Sequence, residues 1–153
     1  MRPMTNAIRN KISVYRKNKI DISELIKDVE IRGENLSYAI IKDFYRVKTD
    51  ISNCNFSNAI IGEENKVTMM SNTNMKNCVF KSTKFLGKII MRRCDARGSN
   101  FTETFMPNIA YEYSDFRGCN FCSCIFRIGS REGLGAIFDK KLWVDLTKGW
   151  VIK

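Results

Sequence analysis

One periodicity constrains this chain more than anything in its composition. From Ser114 onward a phenylalanine returns at every fifth position, Phe116, Phe121 and Phe126, and two residues before each stands a small one, Ser114, Cys119 and Cys124. The same pattern appears upstream in CNFSN (Cys54–Asn58), NCVFKSTKF (Asn77–Phe85) and CDARGSNFTE (Cys94–Glu103). Neither a 3.6-residue helix nor a two-residue strand alternation keeps a large apolar residue at every fifth position on one side. A chain that turns a corner every five residues does. The large residue at the centre of each side then points inward, and the small one two places earlier tucks in at the corner. Four such sides close a square coil of about twenty residues, and coils stack at the ~4.8 Å spacing of neighbouring strands.

In this pattern the chain resembles the pentapeptide-repeat family, whose motif is a small residue, Asn or Asp, Leu or Phe, then two variable positions. SNFTE at Ser99, SDFRG at Ser114 and CNFCS at Cys119 fit it closely. The resemblance implies an all-β solenoid, a right-handed quadrilateral parallel β-helix over residues 34–127, with a weak last unit in AIFDK (Ala136–Lys140). Residues 1–33 then form a basic arm and an α-helical cap, and residues 128–153 an irregular last coil and an apolar tail.

Stacking by twenty assigns the columns. The first side has centres Leu36, Phe56, Met75, Ala96 and Phe116, and the second Ile41, Ile61, Phe80, Phe101 and Phe121. Phe85, Met106 and Phe126 end the third side, and Ile51, Met70, Met91 and Tyr111 form the fourth. This register needs one residue lost in GEENKV (Gly62–Val67) and one gained in LGKII (Leu86–Ile90). Bulges are expected where Arg46 and Lys66 fall at or beside centres.

The six cysteines follow from the same register. Cys54, Cys78, Cys94, Cys119 and Cys124 fall at the small inward position, where a thiol behaves as a small hydrophobe. Cys122 points outward, so Cys119, Cys122 and Cys124 do not converge on a metal, and no metal or cofactor is expected. Histidine is absent, which removes the commonest general base and every imidazole ligand. Asp43, Glu63, Glu64 and Glu103 place carboxylates near one another on the second side, but a convex wall does not make an acid–base pair. The expectation is a protein that is not an enzyme.

At 153 residues the chain is one domain that needs no disulfides for its core. Its start lacks the apolar run of a signal peptide and no stretch reaches the ~20 apolar residues of a membrane span, which points to the cytoplasm and reduced thiols.

At the N-terminus a helix is expected over roughly residues 5–17, and a second in IDISELIKDV, capped by Asp21 or Ser23, with Ile22, Leu25, Ile26 and Val29 at helical spacing. At the other end GSREGLG (Gly129–Gly135) reads as a flexible connection. The tail residues Trp143, Val144, Leu146, Trp150, Val151 and Ile152 either fold over the last coil or join a second chain. The resemblance favours a homodimer, because related proteins often pair through their C-terminal ends.

Net charge is +10. Arg9, Lys11, Arg16 and Lys17 belong to an N-terminal arm without acids, and Lys76, Arg97 and Arg117 stack on the first side. This stripe could follow phosphates, although Asp95 and Asp115 stand beside it. Ile40, Ile60 and Val79 on the second side, with Phe105 and Ile125 on the third, form outward apolar columns of the kind that meet a partner. Two functions result. The favoured one is a non-enzymatic protein-interaction or scaffold module. The alternative is binding to nucleic acid or another polyanion through arm and stripe. The resemblance also implies a third role, protection of type II topoisomerases by imitating DNA, but that requires an acidic surface and this chain is basic.

Overall fold

The computed structural model describes residues 1–126 and 133–139. Two helices precede six short strands: α1 (Asn6–Lys17), α2 (Ser23–Ile26), β1 (Ile40–Ile41), β2 (Ile60–Met69), β3 (Lys84–Ile90), β4 (Phe105–Met106), β5 (Ile109–Ala110) and β6 (Ile125–Phe126). The strands pair in parallel, in the order β1-β2-β3-β4-β6, with β5 also on β3. Isolated parallel bridges carry the pairing around the rest of each coil. The repeat of five read from the sequence is the repeat of the structure.

Backbone pairing gives the columns directly. Asn35, Asn55, Val79, Asn100 and Asn120 pair in succession, at steps of 20, 24, 21 and 20 residues. The side chains that follow them inward are Leu36, Phe56, Phe80, Phe101 and Phe121, each at most 4% exposed. Asp50, Asn74, Asp95 and Asp115 pair likewise and carry Ile51, Met75, Ala96 and Phe116 inward. The third column runs through β1, β2, β3, β4 and β6 and holds Ile41, Ile61, Phe85 and Met106 inside. In the fourth, Tyr45, Met69, Ile90 and Ala110 pair in succession, ahead of Arg46, Met70, Met91 and Tyr111.

This register corrects the one expected from spacing by twenty. Leu36 and Phe56 stack on Phe80, not on Met75, and Ile51 belongs below Met75 rather than below Met70. The cause is the segment Gly62–Val67, which gains four residues instead of losing one. Glu63–Lys66 stand opposite the single residue Gly87, between the pairs Gly62↔Leu86 and Val67↔Lys88. The one-residue gain expected in Leu86–Ile90 is present as Gly87. Its φ is +71°, and a Cβ there would lie 2.4 Å from the Glu63 carbonyl oxygen, so only glycine fits against the insertion.

Local chemistry explains the corners that follow three of the four columns; those after the third, as at Ile41 and Met106, lack this turn. The centre residue's carbonyl accepts the N–H three residues on, as in Ala59 to Phe56 (3.0 Å) and Thr83 to Phe80 (3.0 Å). Two residues past the centre the backbone has positive φ, for example at Asn53, Asn58, Asn72 and Asn77, which is a type II turn. Asn or Asp just before the centre accepts the N–H two residues later, as Asn55 does from Ser57 (2.9 Å) and Asp115 from Arg117 (3.1 Å).

The small corner residue donates its own hydrogen to a centre carbonyl of the coil below. Cys54 reaches Ile31 (2.7 Å), Cys78 reaches Ile51 (3.1 Å), Thr83 reaches Phe56 (2.7 Å) and Ser99 reaches Met75 (2.7 Å). Inside, Phe56, Phe80, Phe101 and Phe121 stack as a ladder with centroids 5.1 Å apart and planes within 10°. That separation is close to the coil spacing, so each ring stacks on the ring of the coil below.

Helix α1 is capped by the Thr5 hydroxyl, which accepts from Ile8 N. It buries Ile12 and packs Ile8 and Tyr15 on the core, which Met4, just before the helix, also touches. The second helix is one turn, shorter than expected, and its N-cap is Ile22. Asp21, one residue before that N-cap, accepts from Ser23 N, the first N–H of the helix, and from Ser23 Oγ and Lys42 N. Parallel pairing reaches back to Asp21, opposite Ile40, and to Arg2, opposite Val29.

Arg46, where spacing led to the expectation of a bulge, instead keeps regular pairing: Tyr45 pairs with Met69 and Arg46 N donates to Met69 O at 2.7 Å. It occupies a core column and is 2% exposed. Its guanidinium donates to the carbonyl of Val29 (2.9 Å) and to that of Ile26, at the end of α2. The Ile26 carbonyl accepts from Val29 N as well (3.1 Å), so Arg46 adds a second donor there and the buried guanidinium is satisfied by two carbonyls of the coil below.

Candidate interaction surfaces

Outward residues of the third column form a continuous stripe: Ile40, Ile60, Lys84, Phe105 and Ile125 are directly paired from coil to coil. Ile60 is 37% exposed, and Ile40, Phe105 and Ile125 are half-buried. The structure therefore joins Ile40 and Ile60 to Phe105 and Ile125, which spacing had put on separate sides. Val79 leaves the group. It lies half-buried between Asn55 and Asn100 in a column of asparagines. Lys84 takes the central place, and its Nζ lies 5.9 Å from the centroid of the Phe105 ring. Among the described residues it forms no ion pair. The sequence signal for Lys84 was the insertion itself: EENK offers no inward-facing apolar residue and so marks where the count breaks.

Lys76, Arg97 and Arg117 do stack, but the same column carries Arg32 and Ser52 below them, in place of the expected Ser37 and Ser57. Beside them run Asp50, Asp95 and Asp115. Ion pairs link the two rows: Arg32 to Asp50 (3.9 Å), Lys76 to Asp95 (3.9 Å), Arg97 to Asp95 (2.7 Å) and Asp115 (3.8 Å), and Arg117 to Asp115 (2.6 Å). Asp139 adds a fourth carboxylate by accepting from Gly118 N. Four cations thus share three carboxylates in ion pairs, with Asp139 held on the backbone at the end of the row. Arg97 beside Asp95, and Arg117 beside Asp115, hold those carboxyls below the ordinary aspartate range. A phosphate backbone would have to displace these carboxylates.

The arm is partly engaged as well. Arg9 pairs with Glu34 at 2.6 Å, and Arg16 donates to the carbonyls of Asn35 and Ser37, both at 3.1 Å. Lys11 and Lys17 are exposed. The basic character of α1 is therefore half spent on holding the helix to the first coil.

The corner thiols are buried at Cys54, Cys78, Cys94 and Cys124, half-buried at Cys119, and exposed at Cys122. Burial pushes the Cys54 and Cys94 thiols up to about 11, Cys119 and Cys124 to about 12, and Cys78 further. Such thiols are poor nucleophiles and poor ligands. No group of three or more metal-binding side chains occurs among the described residues.

Of the four carboxylates expected together, Glu103 stands in another column, away from Glu63 and Glu64 in the insertion. Glu103 follows Phe101 in the second column and accepts from Ser82 Oγ, whereas Glu63 pairs with Lys66 (2.5 Å) in the insertion. A cavity of about 340 Å³ lies between α2 and residues 43–46, rimmed by Glu24, Asp28 and Asp43 with Arg46 below. That arginine is already committed to carbonyls. The tail residues Trp143, Val144, Leu146, Trp150, Val151 and Ile152 lie outside the described residues. No helix among the described residues is long and apolar enough to cross a membrane.

No protein-family model matches the chain, and neither does any curated protein sequence. Solved structures of QnrB1, a plasmid-mediated fluoroquinolone resistance protein, are similar to it in part. One trypsin-treated form is 14% identical with a TM-score of 0.42, over 78% of this chain and 65% of that one. A second trypsin-treated form is 14% identical with a TM-score of 0.45, over 82% and 69%. The full-length form is 12% identical with a TM-score of 0.34, over 79% and 84%. The chain thus spans just under two thirds of the first of these.

Proposed function

We propose that this is a pentapeptide-repeat protein, a right-handed quadrilateral β-helix closed at its N-terminal end by a helical cap, and that it works as a non-enzymatic protein-interaction module in the cytoplasm. The observation that carries this function is the outward stripe of Ile40, Ile60, Phe105 and Ile125 on stacked parallel strands. Apolar side chains aligned on a rigid face usually mark contact with something. The α1 face offers a rationale for the cap, since Ile12 and its neighbours cover core residues that an open coil end would expose. The repeat region starts, on this view, nearer Asp21 than residue 34, because pairing already begins there.

Polyanion binding through Arg9, Lys11, Arg16, Lys17, Lys76, Arg97 and Arg117 has less support, as most of these cations already have acidic or carbonyl partners. Imitation of DNA has none from the charge, which is +10. A homodimer through the C-terminal tail accompanies the proposal, and light scattering of the full chain tests it: a monomer mass at high concentration refutes it.

The interaction role is tested by capture of partner proteins on the immobilised chain, comparing wild type with Ile60→Asp/Phe105→Asp and with Lys76→Ala/Arg97→Ala/Arg117→Ala. Loss with the first variant and retention with the second is expected. The reverse pattern, or tight duplex binding at physiological salt that falls steeply as salt rises, would transfer the function to polyanions.

A further inference from the structure

We infer that the stripe on the third column receives an amphipathic α-helix of a partner protein, about three to four turns long, with a carboxylate near its midpoint. This rests on the interaction role proposed above and specifies its chemistry.

Period is the first ground. Five rungs from Ile40 to Ile125 span four coil spacings, about 19 Å. A helix laid along the coil axis presents one face every 5.4 Å, so each turn meets one rung with a drift of only ~0.6 Å. An extended strand repeats its face every ~6.7 Å and falls out of step by the second rung. A helix of about 13 residues covers the stripe.

Charge is the second ground. Lys84 sits on the third of the five rungs, between Ile60 and Phe105, without an ion pair among the described residues. Pressed under an apolar partner it would lose hydration with only the face of the Phe105 ring, 5.9 Å away, in return. A second copy of this chain is a poor occupant for the same reason. Either two-fold arrangement that engages all five rungs sets Lys84 against the partner's Lys84. A carboxylate midway along an otherwise apolar helix face meets the ammonium directly and fixes the register of docking.

The test is a displayed library of 15-residue helix-forming peptides with leucine at the facing positions and the central facing position randomised among Glu, Gln, Leu and Lys. Selection is made on the immobilised full chain, wild type, Lys84→Glu and Ile60→Asp/Phe105→Asp, with circular dichroism confirming that each is folded. Wild type should enrich Glu over Lys at the centre by about tenfold or more. Lys84→Glu should invert the preference, and the double variant should enrich nothing. Absence of enrichment on wild type, enrichment that survives the double variant, or the same central residue chosen by Lys84→Glu would each overturn the inference. Protein capture that still depends on Ile60 and Phe105 would leave the broader interaction role standing in any of those cases.

Discussion

Phe80→Ala is the perturbation that most directly questions the stacking of coils. Phe80 is fully buried, with its ring parallel to Phe56 on one side (5.1 Å, 4°) and Phe101 on the other (5.1 Å, 10°), and Phe85 tilted against it at 5.8 Å. Removing a buried phenylalanine side chain costs about 3–5 kcal/mol, and the figure depends on how far the surroundings collapse. Here collapse is opposed by the backbone. Phe56 N donates to Val79 O at 2.7 Å and Phe80 N to Asn100 O at 2.7 Å, so the neighbouring rings cannot close the gap without breaking those bonds. The loss should therefore fall in the upper half of that range, of order 4–5 kcal/mol, a large part of the ~5–15 kcal/mol that holds a typical domain. Urea titration followed by circular dichroism measures it, with Phe80→Leu as an intermediate. A loss below about 1.5 kcal/mol would mean that Phe80 is not clamped between two rings and that the assigned register is wrong.

Three other outcomes follow from the corners and the charged face. Alkylation of the native protein with mass-spectrometric mapping should modify Cys122 first and Cys54, Cys78, Cys94 and Cys124 only on unfolding, and rapid labelling of Cys54 or Cys94 would contradict the inward corner; Cys78→Ser should stay within about 1 kcal/mol of wild type, because a hydroxyl makes the bond that Ser99 makes. Asp95 and Asp115 have carboxyl pKa values lowered by folding, so their contribution is complete above the ordinary aspartate value near 4 and disappears as pH falls through the lower folded values. Since both pairs are partly exposed, Asp95→Asn/Asp115→Asn should remove less than about 1 kcal/mol at neutral pH and flatten the acid limb; an unchanged limb in a denaturation series from pH 6 to 2 would count against the ladder.

What the chain disclosed of itself was what its inward positions require. Phe101, Phe116 and Phe121 must be large and Ser99, Ser114 and Cys119 small wherever a coil closes, so the five-residue period and the fate of the cysteines were open to reading. Glu63, Glu64, Asn65 and Lys66 carry no such requirement. They lie outside the coil, impose no apolar period, and so gave no measure of their number. That single miscount displaced every column above it, which put Val79 in the wrong company and hid Lys84. Arg46 was legible in position but not in outcome: spacing put it at or beside a centre, and only the carbonyls of Ile26 and Val29, which folding brings beneath it, let it stay in the core column without a bulge.

The four-residue extension of β2 also shows how such a coil grows. Pairing resumes at Val67 opposite Lys88, and from Met70 on the rungs continue as though nothing had intervened. Each tread of this staircase can be widened with only a one-residue accommodation in the tread above, here Gly87, because a coil touches its neighbours only along its own sides. Asn65 at the tip, exposed and already at positive φ, is therefore a natural grafting point, where a foreign recognition loop could be carried without the scaffold having to be redesigned around it.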